Sequence, residues 1–136
     1  MNREQIVQRI SQDPFASFLG IELLELGQGY SKVSMIVGEQ MLNFHGIPHG
    51  GAIFSLADAA FAAASNSHGQ TAVALNVSIN YLAVVPVGAR LYAEAKEESL
   101  GNRTALYRLA VTTKDGTPVA LAHGTVYRKR EQWVTT

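Results

Sequence analysis

The residue best placed by type and setting to do chemistry is Asp58. Between Gly51 and Asn66 it is the only ionisable side chain, set among Ala, Phe, Leu and Ile. A carboxylate isolated in apolar surroundings must find hydrogen-bond donors or take up a proton, so its presence there points to a functional site. Eight residues earlier the run His49-Gly50-Gly51 follows Pro48 and opens the same apolar stretch, which reads as one long helix. The first N–H groups of a helix have no carbonyl partner within it, and an anion or oxyanion is welcome there. Glycine at this point lets a ligand come close to the backbone. Eight residues at 1.5 Å each put Gly50 and Asp58 about 12 Å apart, too far to serve one reacting carbonyl. They cooperate only if two copies of the helix lie antiparallel, the donor of one facing the carboxylate of the other. The expected site is therefore shared across a homodimer.

The rest of the chain must hold that helix. Its 136 residues suffice for one core and not for two, so the expectation is a single domain over residues 1–136. Hydrophobic residues make up 47% and charged ones 16%, with 11 basic and 11 acidic side chains. This neutral balance argues against nucleic acid or an anionic membrane as partner, and the low charge suggests that another subunit covers part of the surface. With no cysteine there is no disulfide framework and no thiolate nucleophile. The N-terminus leads into no apolar signal core, and Asp58 with several Ser and Gly spoils the helix as a membrane span; a cytoplasmic location is the default.

Along the chain, residues 3–11 place Ile6, Val7 and Ile10 on one helical face, ended by Pro14. Phe15, Phe18 and Leu19 read as an apolar knot, core or lid. Residues 21–26 and 30–37 read as a hairpin turned by Gly27-Gln28-Gly29, with Val33, Met35 and Val37 inward. A connection over 39–48 leads to the helix, which runs to about Ser67 with Gly69 as its stop. Strands are expected at 71–82, 89–99, 103–113 and 117–128. Val73, Leu75, Val77, Ile79 and Tyr81 would share one face of the first; Tyr92, Tyr107, Ala120 and Ala122 would remain on the outer face of the sheet for further subunits. Arg128-Lys129-Arg130 reads as a solvated tail. The class is α+β: an antiparallel sheet that buries its apolar face by wrapping around one long central helix.

These residues carry a family likeness. Asn43-Phe44-His45-Gly46-Ile47-Pro48-His49-Gly50-Gly51, then Leu56-Ala57-Asp58, resembles the signature of hotdog-fold acyl-CoA thioesterases of the phenylacetate-pathway type and their 4-hydroxybenzoyl-CoA thioesterase relatives. The likeness spans roughly residues 15–128. It implies a hotdog fold, a homodimer often paired into a homotetramer, and hydrolysis of an acyl-CoA substrate with no metal or cofactor. By the same resemblance Gly50 supplies the N–H that polarises the thioester carbonyl, Asp58 of the facing subunit is nucleophile or base, and Asn43 and His49 orient water and thioester. Arg103 resembles a position that meets coenzyme A phosphates.

Other candidates follow from the residues. Asn76 is otherwise poorly explained in an apolar strand and is the expected polar partner from that strand. Gly51, Phe54 and Tyr81 are expected beside the substrate, with Phe54, Phe61 and Tyr81 lining a pocket of aryl size. Phenylacetyl-CoA or a ring-hydroxylated relative is the expected ester, medium-chain acyl-CoA the next. His45 and His49 lie four apart, but no Cys and no second nearby acid complete a metal site. Two other functions compete: a hotdog 3-hydroxyacyl dehydratase, against which the His-Gly-Gly loop argues, and a non-catalytic acyl-CoA binding protein.

Overall fold

The computed structural model describes residues 3–133. Two short helices, α1 (Arg3–Ser11) and α2 (Pro14–Phe18), precede a hairpin of β1 (Glu22–Gly27) and β2 (Tyr30–Ile36). A 3-10 turn at Glu39–Met41 leads to α3 (Gly50–Ser65), and four strands follow: β3 (Gln70–Tyr81), β4 (Arg90–Leu100), β5 (Thr104–Thr113) and β6 (Pro118–Gln132). All strand pairs are antiparallel, in the order β1-β2-β4-β5-β6-β3. The expected sheet around one central helix is what forms.

Strand alternation and helix periodicity meet in the core. Leu56, Ala57, Ala60, Phe61 and Ala64 of α3 pack against Met35, Leu91, Leu109, Val111, Ala122 and Val126. Phe61 is the wedge: its ring meets Tyr107 edge-on at 5.8 Å between centroids and lies over Gly124 of β6. A Cβ at Gly124 would stand 2.7 Å from Phe61 Cζ, so only glycine lets the ring settle on the strand. Burying a side chain of this size contributes about 1.5–3 kcal/mol. A second, smaller cluster joins Ile6 of α1 to Leu26 and Ala63, with Val7, Ile10 and Trp133 around it.

Several expectations are corrected. Tyr107, Ala120 and Ala122 face the core, not further subunits: Tyr107 shares the strand parity of Leu109 and Val111, and both alanines lie beneath α3. The homotetramer expectation is left to the resemblance alone. Phe15 and Phe18 are exposed, and only Leu19 of the knot packs on the core. Pro14 opens α2, where its missing N–H costs nothing, with Asp13 accepting from the Ala16 N–H at 3.0 Å as cap. Arg128–Arg130 belong to β6, and Arg128 donates to the Gly101 carbonyl at 2.7 Å and to Gln70. In β3 the register shifts between Ala74 and Asn76. Ala72 faces the core before the shift and Val77 and Ile79 after it, which leaves Val73 and Leu75 exposed.

Candidate active site

The start of α3 is held by a loop bonded to itself. Asn43 Oδ1 accepts from the N–H groups of His45 (2.9 Å) and Ile47 (3.3 Å), while the Asn43 N–H donates to the Ile47 carbonyl at 2.8 Å. Gly46 turns the loop at φ +79°, a conformation costly for any side chain. The His49 N–H donates to the Met41 carbonyl at 2.7 Å, which anchors the loop to the 3-10 turn. Asn43 thus shapes the loop through its oxygen, and its amide NH₂ is not used by those contacts.

His49 is the N-cap of α3. Its Nδ1 accepts from the Gly51 N–H at 2.8 Å, so in the neutral ring the proton sits on Nε2. Ala52 and Ile53 give their N–H groups to the His49 carbonyl. Among the described residues, that leaves the Gly50 N–H as the one amide of the first turn without a partner. Tyr81, at the far end of β3, fixes the peptide that follows: its hydroxyl donates to the Gly50 carbonyl at 3.1 Å, and a Cβ on Gly50 would stand 3.3 Å from Tyr81 Cζ. Asn43, His49, Gly50, Gly51 and Tyr81 are brought together as expected residues of one locus. It has the makings of an oxyanion site: one open donor on a rigid turn at the positive end of a helix.

Asp58 lies two turns further along α3, half-buried. The helix is not covered on every side: Gly51, Ser55, Asp58, Ala59 and Ala62 form a stripe turned away from the core, with Gly51 and Ala62 exposed. Burial first, and the charge of Asp13 second, push the Asp58 carboxyl above the ordinary carboxylate range. No hydrogen bond among the described residues uses its oxygens, so no donor pulls it back down. A carboxylate raised in this way is a stronger base than one in water.

The other expected residues are dispersed. Asn76 sits at the β3 bulge, exposed beside Leu75. Phe54 is half-buried one turn after Gly50, whereas Phe61 is 1% exposed and packs in the core. Arg103 donates to the Tyr127 hydroxyl at 3.2 Å, and its carbonyl accepts from the Arg128 N–H. That turn lies near Gln70, at the opposite end of β3 from Tyr81 and Gly50 of the same chain. Among the described residues no group of three or more His, Asp and Glu could hold a metal ion. Among the described residues no helix is long and apolar enough to cross a membrane.

One polar cluster was not anticipated. Glu97 Oε1 accepts from the Tyr107 hydroxyl and bonds His68 Nε2, both at 2.7 Å. Burial raises the Glu97 pKa, but His68, Tyr107 and Arg128 outweigh it and the net shift is downward. Burial and Glu97 push the Tyr107 hydroxyl up in turn. The sequence signal would have been the direct pairing of Glu97 with Tyr107 across β4 and β5, which needs the register.

The model of the thioesterase superfamily matches residues 45–120. The acyl-coenzyme A thioesterase PaaI of Escherichia coli is 40% identical over 85% of this chain and 83% of its own length. The structure of the E. coli PaaI protein from the phenylacetic acid degradation operon superposes with a TM-score of 0.88 at 34% identity, covering 96% of this chain and 99% of that one. A mutant of phenylacetic acid degradation protein PaaI from Thermus thermophilus gives 0.83 at 44% identity over 86% of this chain and 100% of that one. A hypothetical thioesterase of Streptococcus pneumoniae, solved with coenzyme A, gives 0.84 at 25% identity over 93% and 98%. The chain belongs to the thioesterase superfamily: it is a hotdog thioester hydrolase of the PaaI type.

Proposed function

We propose that this protein hydrolyses acyl-CoA thioesters, aryl-acetyl esters such as phenylacetyl-CoA foremost, in a site built from two copies of the chain. The observation that carries the reading is that α3 holds one unpartnered amide, Gly50 N–H, at its start and one unpartnered raised carboxylate, Asp58, two turns on. The PaaI relative named as an acyl-coenzyme A thioesterase and the coenzyme A seen with a structural neighbour support the ester class. In this reading the Gly50 N–H of one subunit receives the negative charge that develops on the carbonyl oxygen. Asp58 of the other either attacks the carbonyl carbon, giving a mixed anhydride that water then opens, or takes a proton from the attacking water. The carbon–sulfur bond breaks and coenzyme A leaves as its thiol. His49 and Asn43 orient water and thioester from the loop, and Gly51, Phe54, Tyr81 and Asn76 border the substrate. No metal or cofactor takes part.

The second subunit has a place to dock. β3 ends the sheet as a long strand with Val73, Leu75 and Tyr81 exposed, followed by Leu82 and Val84. A long apolar edge of this kind aggregates unless it is covered. Antiparallel pairing of two β3 edges about a two-fold axis sets the helices antiparallel, as the divided site requires. It also carries Arg103 from the Gln70 end of one chain to the Gly50 end of the other, where its guanidinium would meet the phosphates of coenzyme A.

Thiol release from phenylacetyl-CoA and from aliphatic acyl-CoA esters, with wild type, Asp58→Asn and Asp58→Ala, tests the reading. Loss in both variants is expected, with activity returning when Asp58→Asn and Gly50→Pro proteins are refolded together. Hydrolysis retained by both Asp58 variants would remove the carboxylate from the mechanism. Label from ¹⁸O-water appearing first in Asp58 during a single turnover would show attack by the carboxylate itself, since only the covalent route carries water oxygen into that side chain.

A further inference from the structure

Beside Asp58 the molecule has an open cleft of about 510 Å³ that neither the cap nor the oxyanion locus uses. Its floor is Ala59 and Ala62 of α3, its walls Ile10 and Pro14 from the N-terminal helices and Leu23 of β1, and Trp133 lies at its end. Ala59, which follows Asp58 in sequence, and Ala62, one turn beyond it on the same outward stripe, line the cleft, so it opens one residue past the carboxylate. Asp13 ties the two together, since it lines the cleft and its charge reaches Asp58.

We infer that this cleft receives the acyl group, running from the reacting carbonyl at Asp58 along Ala62 toward Trp133. The inference rests on the role proposed above for Asp58. Four features support the assignment. The volume is that of an ordinary small-ligand site, far more than an acetyl group needs. Ile10, Pro14, Ile21, Leu23 and Val33 give the cleft an apolar side against which a ring or alkyl chain can lie, opposite a polar rim at Gln12 and Asp13. The floor is alanine at both turns, where any larger residue would fill the space. The far end is braced: Trp133 Nε1–H donates to the Asn66 carbonyl at 2.9 Å, Arg9 donates to the Trp133 carbonyl at 3.3 Å, and the Arg9 guanidinium stacks 5.4 Å from the indole centroid. From Asp58 to Asn66 the helix rises about 12 Å, so the brace sets the longest acyl group that fits. The α1–α2 segment and the last strand together act as a ruler, and Ala62 and Trp133 are its specificity-determining residues.

The test compares phenylacetyl-CoA, hexanoyl-CoA and acetyl-CoA on wild type, Ala62→Phe and Trp133→Ala. Ala62 is exposed, so the Phe variant replaces no core residue, and its fold is checked by circular dichroism. Ala62→Phe is expected to lower kcat/KM for phenylacetyl-CoA and hexanoyl-CoA at least about tenfold with acetyl-CoA unchanged. Trp133→Ala is expected to move the preference toward longer esters. A binding measurement keeps this separate from the fate of Asp58: a non-hydrolysable phenylacetyl-CoA thioether should lose affinity for Ala62→Phe while free coenzyme A does not, whether or not Asp58 is the reacting group. Equal loss on all three esters, or no change on any, would overturn the inference. So would dissociation of the dimer by Ala62→Phe, which would give the cleft to a second copy of the chain.

Discussion

The two ends of α3 are built from similar residue types to opposite effect. At the C-terminal end polar groups are spent on one another. Ser67 Oγ donates to the Ala64 carbonyl at 2.6 Å and accepts from the Gly29 N–H at 2.8 Å; Asn66 exchanges bonds with Ala72 and accepts from Trp133; His68, Glu97 and Tyr107 close a further set. At the N-terminal end Tyr81 and His49 take up the two groups of the next peptide, the Gly50 carbonyl and the Gly51 N–H, and leave the Gly50 amide open. Satisfied polar groups hold a fold together, whereas a donor held rigid without a partner is poised for something outside the chain. A cluster of titratable residues is thus no guide to chemistry by itself. In the proposed reading the richest cluster, around Glu97, is structural, and the sparse end carries the reaction.

If that contrast is right, changes at the two ends must fail differently. The largest effect falls on turnover: Asp58→Asn is expected to lower kcat on the order of 10²–10⁴-fold, measured by thiol release. Gly50→Pro comes next. It removes the open N–H at the first helical position, where proline is tolerated, and His49 at φ −67°, ψ 136° already has the extended backbone that a following proline demands. A loss of about 10²–10³ in kcat with the fold retained is expected, while Gly50→Ala, which keeps the donor and only crowds Tyr81, should lose far less. At the other end Ser67→Ala should leave kcat/KM alone and cost about 1–3 kcal/mol in chemical denaturation, because the Gly29 N–H is left buried and unpaired. A kcat defect there as large as that of Gly50→Pro would erase the distinction.

His49 sits between the two cases. His49→Ala should cost about 0.5–2 kcal/mol as a lost cap, and His49→Asn should restore stability, asparagine being a strong cap. Activity that stays low in the stable His49→Asn variant would assign the imidazole to the reaction as well. The smallest effect is on pH. Asp13→Asn removes a like charge and should move the acidic limb of kcat/KM to lower pH, a shift read from the profile. Because the folded pKa of Asp58 is raised, its contribution to stability is fully present below the unfolded value and is lost as pH rises through the folded one. Asp58→Asn should therefore melt above wild type at neutral pH, and the difference should vanish in acid.

Much of this was legible beforehand for physical reasons. A helix with one acid in sixteen residues, and strands separated by Gly-Asn and Asp-Gly turns, are local patterns, and the α+β sheet around α3 follows from them. The resemblance of 43–58 to thioesterases named the reaction class. What escaped was set by register. The shift at Ala74 and Asn76 turned a presumed buried face outward at Val73 and Leu75, and strand parity turned Tyr107 inward. Contacts between distant segments escaped too: Trp133 against Asn66, and His68 against Glu97. No spacing in the chain announces them.

Gly124 carries a consequence for how this enzyme varies. Phe61 rests where that strand has no side chain, so the absence of one methyl group sets the height of α3 above the sheet. Gly50 and Asp58 ride on the same rod. Gly124→Ala would tilt or raise it as a lever and misalign the two groups proposed to react, which it never touches, slowing catalysis with both side chains chemically intact.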